Sequence, residues 1–283
     1  MIGICLSYDE NHQIMHQVLK KFFDIWPDHP IRFRVPYNKI IPENFDDIGI
    51  ETNFIQTPKP VKDTIDHLTK DLNGDEWIFW LLDDKLVDSI DTESVLKIMQ
   101  ILPDLDRDVL GVQLTANRYS LTGYFKSFQH INGNVFIEKK NYNGFFQPHF
   151  IRVSALRHYL VSPNIDAKDF VVFKEGKESM PEICRNLRQE FGGNKSVLNL
   201  DHSILTFQET LHANKLTSNY FNYLKDMNLP LPDNKEVTDI GWLVNDTDQV
   251  ITFRGGNSKI LNPRSKARTF FTMFLYWLGF RRL

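Results

Sequence analysis

The sequence predicts an α/β protein with a mostly parallel central sheet. Short apolar stretches alternate with amphipathic stretches of helical period through the first half of the chain. One apolar stretch, Trp-Ile-Phe-Trp-Leu-Leu at residues 77–82, contains no charged residue, which is typical of a strand buried on both faces. That strand ends abruptly in two aspartates, and ligands of open α/β sheets gather at the carboxyl ends of the strands. We therefore expect a functional site at that edge of the sheet.

The first half of the chain predicts a series of strand, helix, strand units, whose strands run parallel. Its predicted strands are residues 2–6, 31–35, 51–55, 77–82 and 109–114, and its predicted helices are residues 12–26, 61–72 and 91–102. The loop after the first strand then lies at the same sheet edge as the two aspartates. Ser7, Tyr8 and Asp9 in that loop are therefore candidate ligand contacts.

The regular alternation ends near residue 118, and the second half predicts a smaller antiparallel part. Its predicted elements are a hairpin at 125–139, an extended stretch at 145–153, helices at 154–160 and 181–189, and short strands at 197–200, 204–207 and 250–253. No repeat or low-complexity linker interrupts the chain. We therefore predict one continuous domain over residues 1–263, followed by a C-terminal helix at 264–283.

Composition limits the class of protein. The 283 residues are 42% hydrophobic and 24% charged with a net charge of -3, which is ordinary for a globular protein and gives no reason to expect nucleic acid binding. The two cysteines, Cys5 and Cys184, have no metal-binding spacing and fit a reducing compartment, although two cysteines do not exclude a disulfide. The first ten residues lack a basic leader, so we expect a cytoplasmic protein.

The acidic pair Asp83 and Asp84 is the central motif. Two adjacent carboxylates repel each other and need a cation, a proton or hydrogen bonds to hold them. A divalent ion that carries substrate phosphates is one common solution. The alternative is a solvated turn, or a helix N-cap, with no chemical role.

Several short motifs together resemble a known family. They are Ser7-Tyr8-Asp9, Phe22-Phe23-Asp24-Ile25-Trp26-Pro27-Asp28, Trp80-Leu81-Leu82-Asp83-Asp84, Gln147-Pro148-His149-Phe150-Ile151-Arg152, and Ile204-Leu205-Thr206-Phe207-Gln208-Glu209-Thr210 with Lys215. In this order they resemble the GT-A fold of nucleotide-sugar-dependent glycosyltransferases, and more narrowly bacterial enzymes that build capsule or lipopolysaccharide. The resemblance covers roughly residues 1 to 220, and the order of the motifs carries it more than any one of them.

The resemblance implies that the two halves of the chain bind different substrates. Residues 1–118 would bind the nucleotide-sugar donor, and residues 119–263 would bind a glycan or lipid-linked acceptor. In this family a DxD-type motif holds a divalent cation, Mn²⁺ or Mg²⁺, on the donor's diphosphate, which implies Asp84 as the metal ligand and Asp83 as a contact to the ribose or sugar. Lys85 departs from the family pattern: its cation either neutralises diphosphate itself or points to water.

An inverting transferase also needs a group that takes the proton of the acceptor hydroxyl. Glu209 is the first candidate because it follows a short apolar strand in the acceptor half, and Asp201 is the second. The alternatives are a helix N-terminal acid for Glu209 and an N-cap for Asp201. Glu182 and His149 are candidate acceptor contacts, although a histidine among aromatic residues is more often packed in a core.

Two arginines are weaker candidates for donor contacts. Arg118 ends a predicted strand, and Arg254 precedes two glycines whose backbone N–H groups are able to approach an anion. The spacing around Arg254 is not that of a dinucleotide or P-loop fingerprint. Surface positions without a ligand are the alternative for both.

The C-terminal residues 264–283 are rich in aromatic side chains and are flanked by basic residues. Their apolar part is too short to cross a bilayer, and the composition suits a helix lying on a membrane surface. The alternative is a terminal helix docked on the domain's own core. A helix on the membrane surface predicts a protein that is peripheral to the inner face of the membrane.

Two other function classes compete with a transferase. A sugar-phosphate nucleotidyltransferase also uses an α/β sheet and acidic metal ligands, but Ser7-Tyr8-Asp9-Glu10 stands where that class has a glycine-rich loop. A membrane-associated scaffold that keeps an inactive transferase fold is the non-enzymatic alternative. Turnover of a nucleotide sugar would indicate a transferase, and exchange of pyrophosphate would indicate a nucleotidyltransferase. Neither activity is expected of a scaffold.

Overall fold

A computed structural model describes residues 1–42, 52–115, 125–131, 133–142, 144–161, 191–233, 235–245, 250–255 and 257–261. The candidate residues Arg118, Glu182 and Cys184 and the predicted helices at 181–189 and 264–283 lie outside these ranges. The proposed division at residue 118 and the terminal segment from 264 therefore stay predictions.

The described chain is a mixed α/β structure, as the sequence predicts. Its strands are β1 (Ile2–Leu6), β2 (Arg32–Tyr37), β3 (Asn53–Gln56), β4 (Trp77–Leu82), β5 (Lys85–Ile90), β6 (Val109–Gln113), β7 (Phe125–Ile131), β8 (Asn134–Lys139), β9 (His149–Arg152), β10 (Ser196–Leu200), β11 (Leu205–Glu209), β12 (Leu211–His212), β13 (Lys215–Thr217), β14 (Val237–Thr238), β15 (Gly241–Val244), β16 (Val250–Arg254) and β17 (Asn257–Leu261). Its α-helices are α1 (His12–Ile25), α2 (Val61–Thr69), α3 (Thr92–Ile101), α4 (Val153–Leu160) and α5 (Ser218–Asp226).

The main sheet has nine strands in the order β3-β2-β1-β4-β9-β6-β10-β8-β7. All of them except β9 and β8 run in the same direction, because only these two pair antiparallel with their neighbours on both sides. The predicted mostly parallel sheet is confirmed. Strands β1 and β4 are adjacent, with Leu6 opposite Leu82, so their carboxyl ends meet at one edge.

Strand β4 is buried on both faces, as its unbroken apolar sequence predicts. On one face Phe79 and Leu81 join a core with α1 and α3; on the other, Ile78 and Trp80 join a core with α2 and α4. The amphipathic stripes of the four helices supply the rest of both cores. The central sheet is therefore covered by helices on both sides, which leaves its carboxyl edge open for a site.

A second, five-stranded sheet has the order β17-β16-β15-β11-β5 and is antiparallel in every pair. It confirms the smaller antiparallel part, but it begins earlier than expected. The sequence predicts a turn after Asp84, whereas β5 starts at once with Lys85 and crosses into this second sheet. The acidic pair is thus the link between the two sheets.

Candidate active site

The site begins where β1 and β4 end side by side. The Ser7 hydroxyl donates a hydrogen bond of 2.7 Å to Asp83 Oδ2, and the Asp83 backbone N–H donates to the Leu6 carbonyl at 3.1 Å. Parallel pairing of β1 with β4 makes this contact, because it places the residues after Leu6 and Leu82 at the same level. The expectation that the two loops meet at one edge is confirmed.

Asp83 is only 8% exposed. Burial and the neighbouring carboxylate of Asp84 raise the pKa of Asp83 to about 7, although hydrogen bonds from Ser7 and Asn11 and the charge of Lys235 act in the opposite direction. Asp83 is therefore poised between its charged and neutral forms near neutral pH.

Lys235 reaches this edge from the segment before β14. Its ammonium donates to Asn11 Oδ1 at 2.8 Å and also to Asn214 Oδ1. Burial lowers the pKa of Lys235, while the charges of Asp83 and Glu10 raise it. This edge of the sheet thus contains a half-buried cation that the sequence analysis did not identify.

Asp84 and Lys85 face the second sheet. The β5–β11 pairing places Lys85 opposite Glu209, with the Lys85 ammonium 2.6 Å from Asp84 Oδ2 and 3.7 Å from Glu209 Oε1. The same ammonium lies 5.6 Å from the centre of the Trp242 ring. Burial opposes the charged form, but the two carboxylates outweigh it and raise the pKa of Lys85. Lys85 is an internal counter-ion of the acids and does not point to water.

Glu209 has a second basic neighbour. His212 Nδ1 lies 3.4 Å from Glu209 Oε2, and its side chain is 42% exposed, against 9% for Glu209. The Glu209 carboxylate raises the pKa of His212, against a smaller opposing effect of burial. Glu209 therefore stands between the buried Lys85 and the accessible His212.

Two threonines fasten Glu209 to the acidic pair. The backbone N–H of Thr210 donates to the Asp84 carbonyl at 2.9 Å, and its hydroxyl donates to the Asp83 carbonyl at 2.9 Å. The Thr217 hydroxyl donates to the Glu209 carbonyl at 2.6 Å. These bonds hold the backbone at the end of β11 against the link between the sheets, so the charged side chains are placed by rigid elements.

Tyr8 and Asp9 have different roles in the structure. The Tyr8 hydroxyl is buried and has no hydrogen-bond partner among the described residues, and burial raises the pKa of Tyr8. The Asp9 carboxylate accepts hydrogen bonds from the backbone N–H groups of Asn38, Lys39 and Ile40 at 2.7, 2.8 and 3.1 Å. These bonds lower the pKa of Asp9 despite its partial burial. Asp9 thus anchors the loop after β2.

Three other predicted residues lie apart from this cluster. His149 is completely buried, and its ring nitrogens contact the Tyr142 hydroxyl at 3.1 Å and the Gln147 carbonyl at 2.6 Å. It lies in the core, which is the alternative that its aromatic neighbours favour. Asp201 pairs with His202 beyond the far end of β11, a strand that spans about 13 Å. Arg254 is exposed at the end of β16, at the same end of the second sheet as Glu209.

The side chains at this edge do not fit a divalent cation as they stand. Asp83 Oδ2 is hydrogen-bonded to Ser7, Asp84 Oδ2 binds the Lys85 ammonium, and Asp84 Oδ1 and Glu209 Oε2 are the carboxylate oxygens buried here without a hydrogen-bond partner in the part of the chain described. Within that part, no group of three His, Cys, Asp or Glu side chains is placed to hold a metal ion. Two free carboxylate oxygens whose side chains already share the Lys85 ammonium are a poor start for the six or more oxygen ligands that hard cations take.

A cavity of about 1330 Å³ lies at the opposite, amino-terminal edge of the sheet, between Met1, Trp77 and Arg152. The Arg152 guanidinium there donates to the carbonyls of Val109 and Asp75, both at 2.8 Å, and stacks on Trp77. Its donors hold loops together, so we place the chemistry at the carboxyl edge and not in this cavity.

The sequence analysis missed the residues that belong to the site only through folding. These are Asn11, His212, Asn214, Lys235 and Trp242. Two of them carried a usable signal, because Asn11 follows Asp9 by two residues and His212 follows Glu209 by three. Lys235 and Trp242 approach from segments far away in the chain, and Asn214 joins the site through its contact with Lys235.

No family model and no curated protein matches the chain. Among solved structures it is similar to the galactosyltransferase LgtC in complex with donor and acceptor sugar analogs, with 13% identity over 79% of this chain and 78% of that one and a TM-score of 0.38. It is also similar to residues 1-349 of S. aureus TarS, with 10% identity, 73% and 59% coverage and a TM-score of 0.39. A third similar structure is apo UDP-glucose pyrophosphorylase, with 11% identity, 74% and 93% coverage and a TM-score of 0.39. At such scores the likeness does not establish a shared activity.

Proposed function

We propose that this protein is a glycosyltransferase that moves a sugar from a nucleotide-sugar donor to a hydroxyl of a glycan or lipid-linked acceptor. The observation that supports this most is the junction at Asp83 and Asp84, where the open edge of the parallel sheet meets the charged group of Lys85, Glu209 and His212. One side of the junction offers polar groups for a nucleotide, and the other offers groups for proton transfer.

The chemistry of glycosyl transfer fits these groups. The reaction passes through an oxocarbenium-like state, and a nucleoside diphosphate leaves with negative charge. Positive charge near the leaving group therefore favours the reaction. Lys235 lies beside Asp83, and Arg254 extends from the same end of the second sheet, so these two cations are our candidates for contact with the diphosphate. The charge of Lys85 is already matched by Asp84 and Glu209, and we propose that it acts as their counter-ion and not as a contact to the diphosphate.

The nucleoside belongs, in this proposal, to the loops after β1 and β4. Among the described residues, the Tyr8 hydroxyl and Asp84 Oδ1 lie there without a hydrogen-bond partner, and the raised pKa of Asp83 allows its carboxyl group to donate or to accept. A neutral Asp83 is able to donate to a ribose oxygen, and a charged one is able to accept from a ribose hydroxyl. Either interaction selects for a ribonucleotide.

The biological setting rests on the sequence alone. The resemblance to enzymes of surface polysaccharide synthesis suggests a bacterial capsule or lipopolysaccharide as the product and a cytoplasmic protein, peripheral to the inner membrane through residues 264–283. In the ranges that the structure covers, no helix is long and apolar enough to cross a membrane.

A thermal-shift panel tests the proposal. Nucleoside diphosphates and their nucleotide sugars are added one at a time, each with and without Mn²⁺, because selective binding stabilises the folded state by mass action, about 2.7 kcal/mol at a hundred times Kd. We expect one diphosphate to raise Tm. Lys235→Ala should reduce that rise, whereas Lys20→Ala, which removes an exposed partner of Asp24, should not.

The other outcomes are distinct. A Tm rise that requires Mn²⁺ would restore the metal role that the sequence implies for Asp84. Exchange of pyrophosphate into a nucleotide sugar would identify a nucleotidyltransferase instead. A folded sample that responds to none of these ligands would overturn the proposal in favour of a scaffold.

A further inference from the structure

We infer that His212, oriented by Glu209, takes the proton of the acceptor hydroxyl. This inference rests on the proposed function and changes the assignment that the sequence favours, in which Glu209 is itself the base. Glu209 becomes a positioning residue, and His212 becomes the group that touches the acceptor.

The geometry of Glu209 argues against a direct role. Its side chain is 9% exposed, with Oε1 3.7 Å from the Lys85 ammonium and Oε2 3.4 Å from His212 Nδ1. Each oxygen thus faces a nitrogen of a basic side chain. Little of the carboxylate is therefore open to an acceptor.

The geometry of His212 is what a base requires. Nδ1 faces Glu209, which favours the tautomer with the proton on Nδ1 and leaves the Nε2 lone pair free. With 42% of the side chain exposed, Nε2 is accessible from outside. A carboxylate that fixes the tautomer and stabilises the imidazolium is the arrangement found in hydrolytic triads.

Three charged groups act on the imidazole. Glu209 from β11 lies 3.4 Å from Nδ1; from the link between the sheets, Lys85 disfavours a second positive charge and Asp84 favours it. The contribution of Glu209 is the largest, so the pKa of His212 lies above its ordinary value, where a base for neutral solution works well. Lys85 limits that rise.

A tight hairpin sets the position of His212. His212 ends β12, and the turn passes through Ala213 and Asn214, which have positive φ angles of 49° and 64°, before Lys215 pairs back with His212. This is the arrangement of a two-residue hairpin turn, and its positive φ is unfavourable for alanine. The turn also carries Asn214, the partner of Lys235. One short hairpin therefore links the candidate base to the cation beside Asp83.

The step balances as a single displacement. His212 Nε2 removes the proton of the acceptor hydroxyl while the acceptor oxygen bonds to the anomeric carbon. The bond from that carbon to the diphosphate oxygen breaks, and its electron pair leaves with the nucleoside diphosphate. The anomeric configuration inverts, and the imidazolium returns its proton to solvent through its exposed face.

Two measurements on the intact protein test this inference. The first is the ¹⁵N spectrum of the His212 ring through a pH titration. Wild type should show the tautomer protonated on Nδ1, and Glu209→Gln should lower the pKa of His212. A ring protonated on Nε2, or a pKa that Glu209→Gln leaves unchanged, would contradict the orientation by Glu209.

The second measurement is hydrolysis of the nucleotide sugar that gives the largest thermal shift, with water in place of the acceptor. His212→Gln should lower kcat about 100-fold or more and remove the acidic limb of the pH profile, with donor Kd unchanged. Glu209→Gln should move that limb to lower pH. His67→Gln is the matched control, because His67 is an exposed histidine on α2 whose Nδ1 contacts the Asp63 carbonyl.

Failure of this inference differs from failure of the proposed function. If wild type binds and hydrolyses the donor and His212→Gln does so equally fast, Glu209 or another group is the base and the inference is overturned alone. A product of retained configuration overturns it as well. If no nucleotide sugar binds to folded wild-type protein, the transferase assignment fails and the inference falls with it.

Discussion

The Lys85 ammonium lies 2.6 Å from Asp84 Oδ2, with 3% of the Lys85 side chain exposed. The adjacent residues of one chain thus form a buried ion pair at the junction of the two sheets. Strand pairing adds Glu209 to the pair, so one cation serves two carboxylates. This relationship determines how we expect substitutions in the site to behave.

Lys85→Met should destabilise the protein by about 3–5 kcal/mol at pH 7, because it leaves the buried Glu209 and the partly buried Asp84 without their counter-ion. Urea unfolding measures the change. Asp84→Asn with Lys85→Met should cost less than Lys85→Met alone, since one of the two charges is gone. Lys20→Met, at an exposed pair, should change stability by less than about 1 kcal/mol. A Lys85→Met protein as stable as wild type would show that the pair is open to water.

Asp83 should make stability fall as pH rises. Its pKa of about 7 in the folded protein lies above its ordinary value, so the folded state binds the proton more tightly than the unfolded state. The stabilisation that comes from protonated Asp83 is fully present below about pH 4. It is lost as pH rises to 7, which lowers the free energy of unfolding by up to about 4 kcal/mol. Asp83→Asn should therefore be more stable than wild type at pH 8, and this difference should become smaller toward pH 4. An equal difference in stability between Asp83→Asn and wild type at the two pH values would contradict the raised pKa.

Gly111→Ala should disturb the core around His149. An added Cβ would lie 1.9 Å from the Tyr142 hydroxyl oxygen and 3.2 Å from the Phe150 carbonyl, and Tyr142 is completely buried. We expect a loss of about 2–3 kcal/mol or more in urea unfolding. Tyr142→Phe in the same chain should recover part of it. Gly192→Ala, with no atom within 4 Å of the added Cβ, is the control; equal effects of the two would disprove the close approach.

Arg254→Ala should weaken binding of the diphosphate nucleotide without lowering Tm. Arg254 is exposed at the end of β16, so its removal should not disturb the core. We expect Kd to rise about 3- to 30-fold, the range of roughly 0.7–2 kcal/mol for a partly exposed charge-assisted bond. Calorimetry measures it. Arg107→Ala, at the opposite sheet edge with Asp75, should leave Kd unchanged. The reverse result would place the donor at the other edge.

Deleting residues 264–283 should move the protein from vesicles to solution. The segment combines basic and aromatic side chains, which bind anionic membrane surfaces. Co-sedimentation with phosphatidylglycerol vesicles should be lost, and high salt should weaken it in the full chain. Phosphatidylcholine vesicles are the control. A truncated protein that is insoluble and unfolded would favour a helix docked on the core.

Local sequence patterns predicted most of the first half of the fold. Strand β4 has the predicted bounds, and α1 ends within one residue of its predicted end, because periodicity and proline report directly on burial and helix ends. Strand β5 was missed. Its three buried residues, Lys85, Leu86 and Val87, begin with a lysine, which ordinarily indicates a surface turn.

The sequence by itself determined the α/β class, the two-sided burial of β4 and the sheet edge at which Ser7 meets Asp83. These follow from short-range periodicity and from the parallel geometry of strand, helix, strand units. Only the tertiary structure decided which charges meet. Glu209 faces Lys85 because β11 pairs with β5 in one register, and Lys235 reaches Asn11 across more than half of the chain. A local sequence pattern does not predict such contacts, because strand register and long-range packing depend on the whole fold.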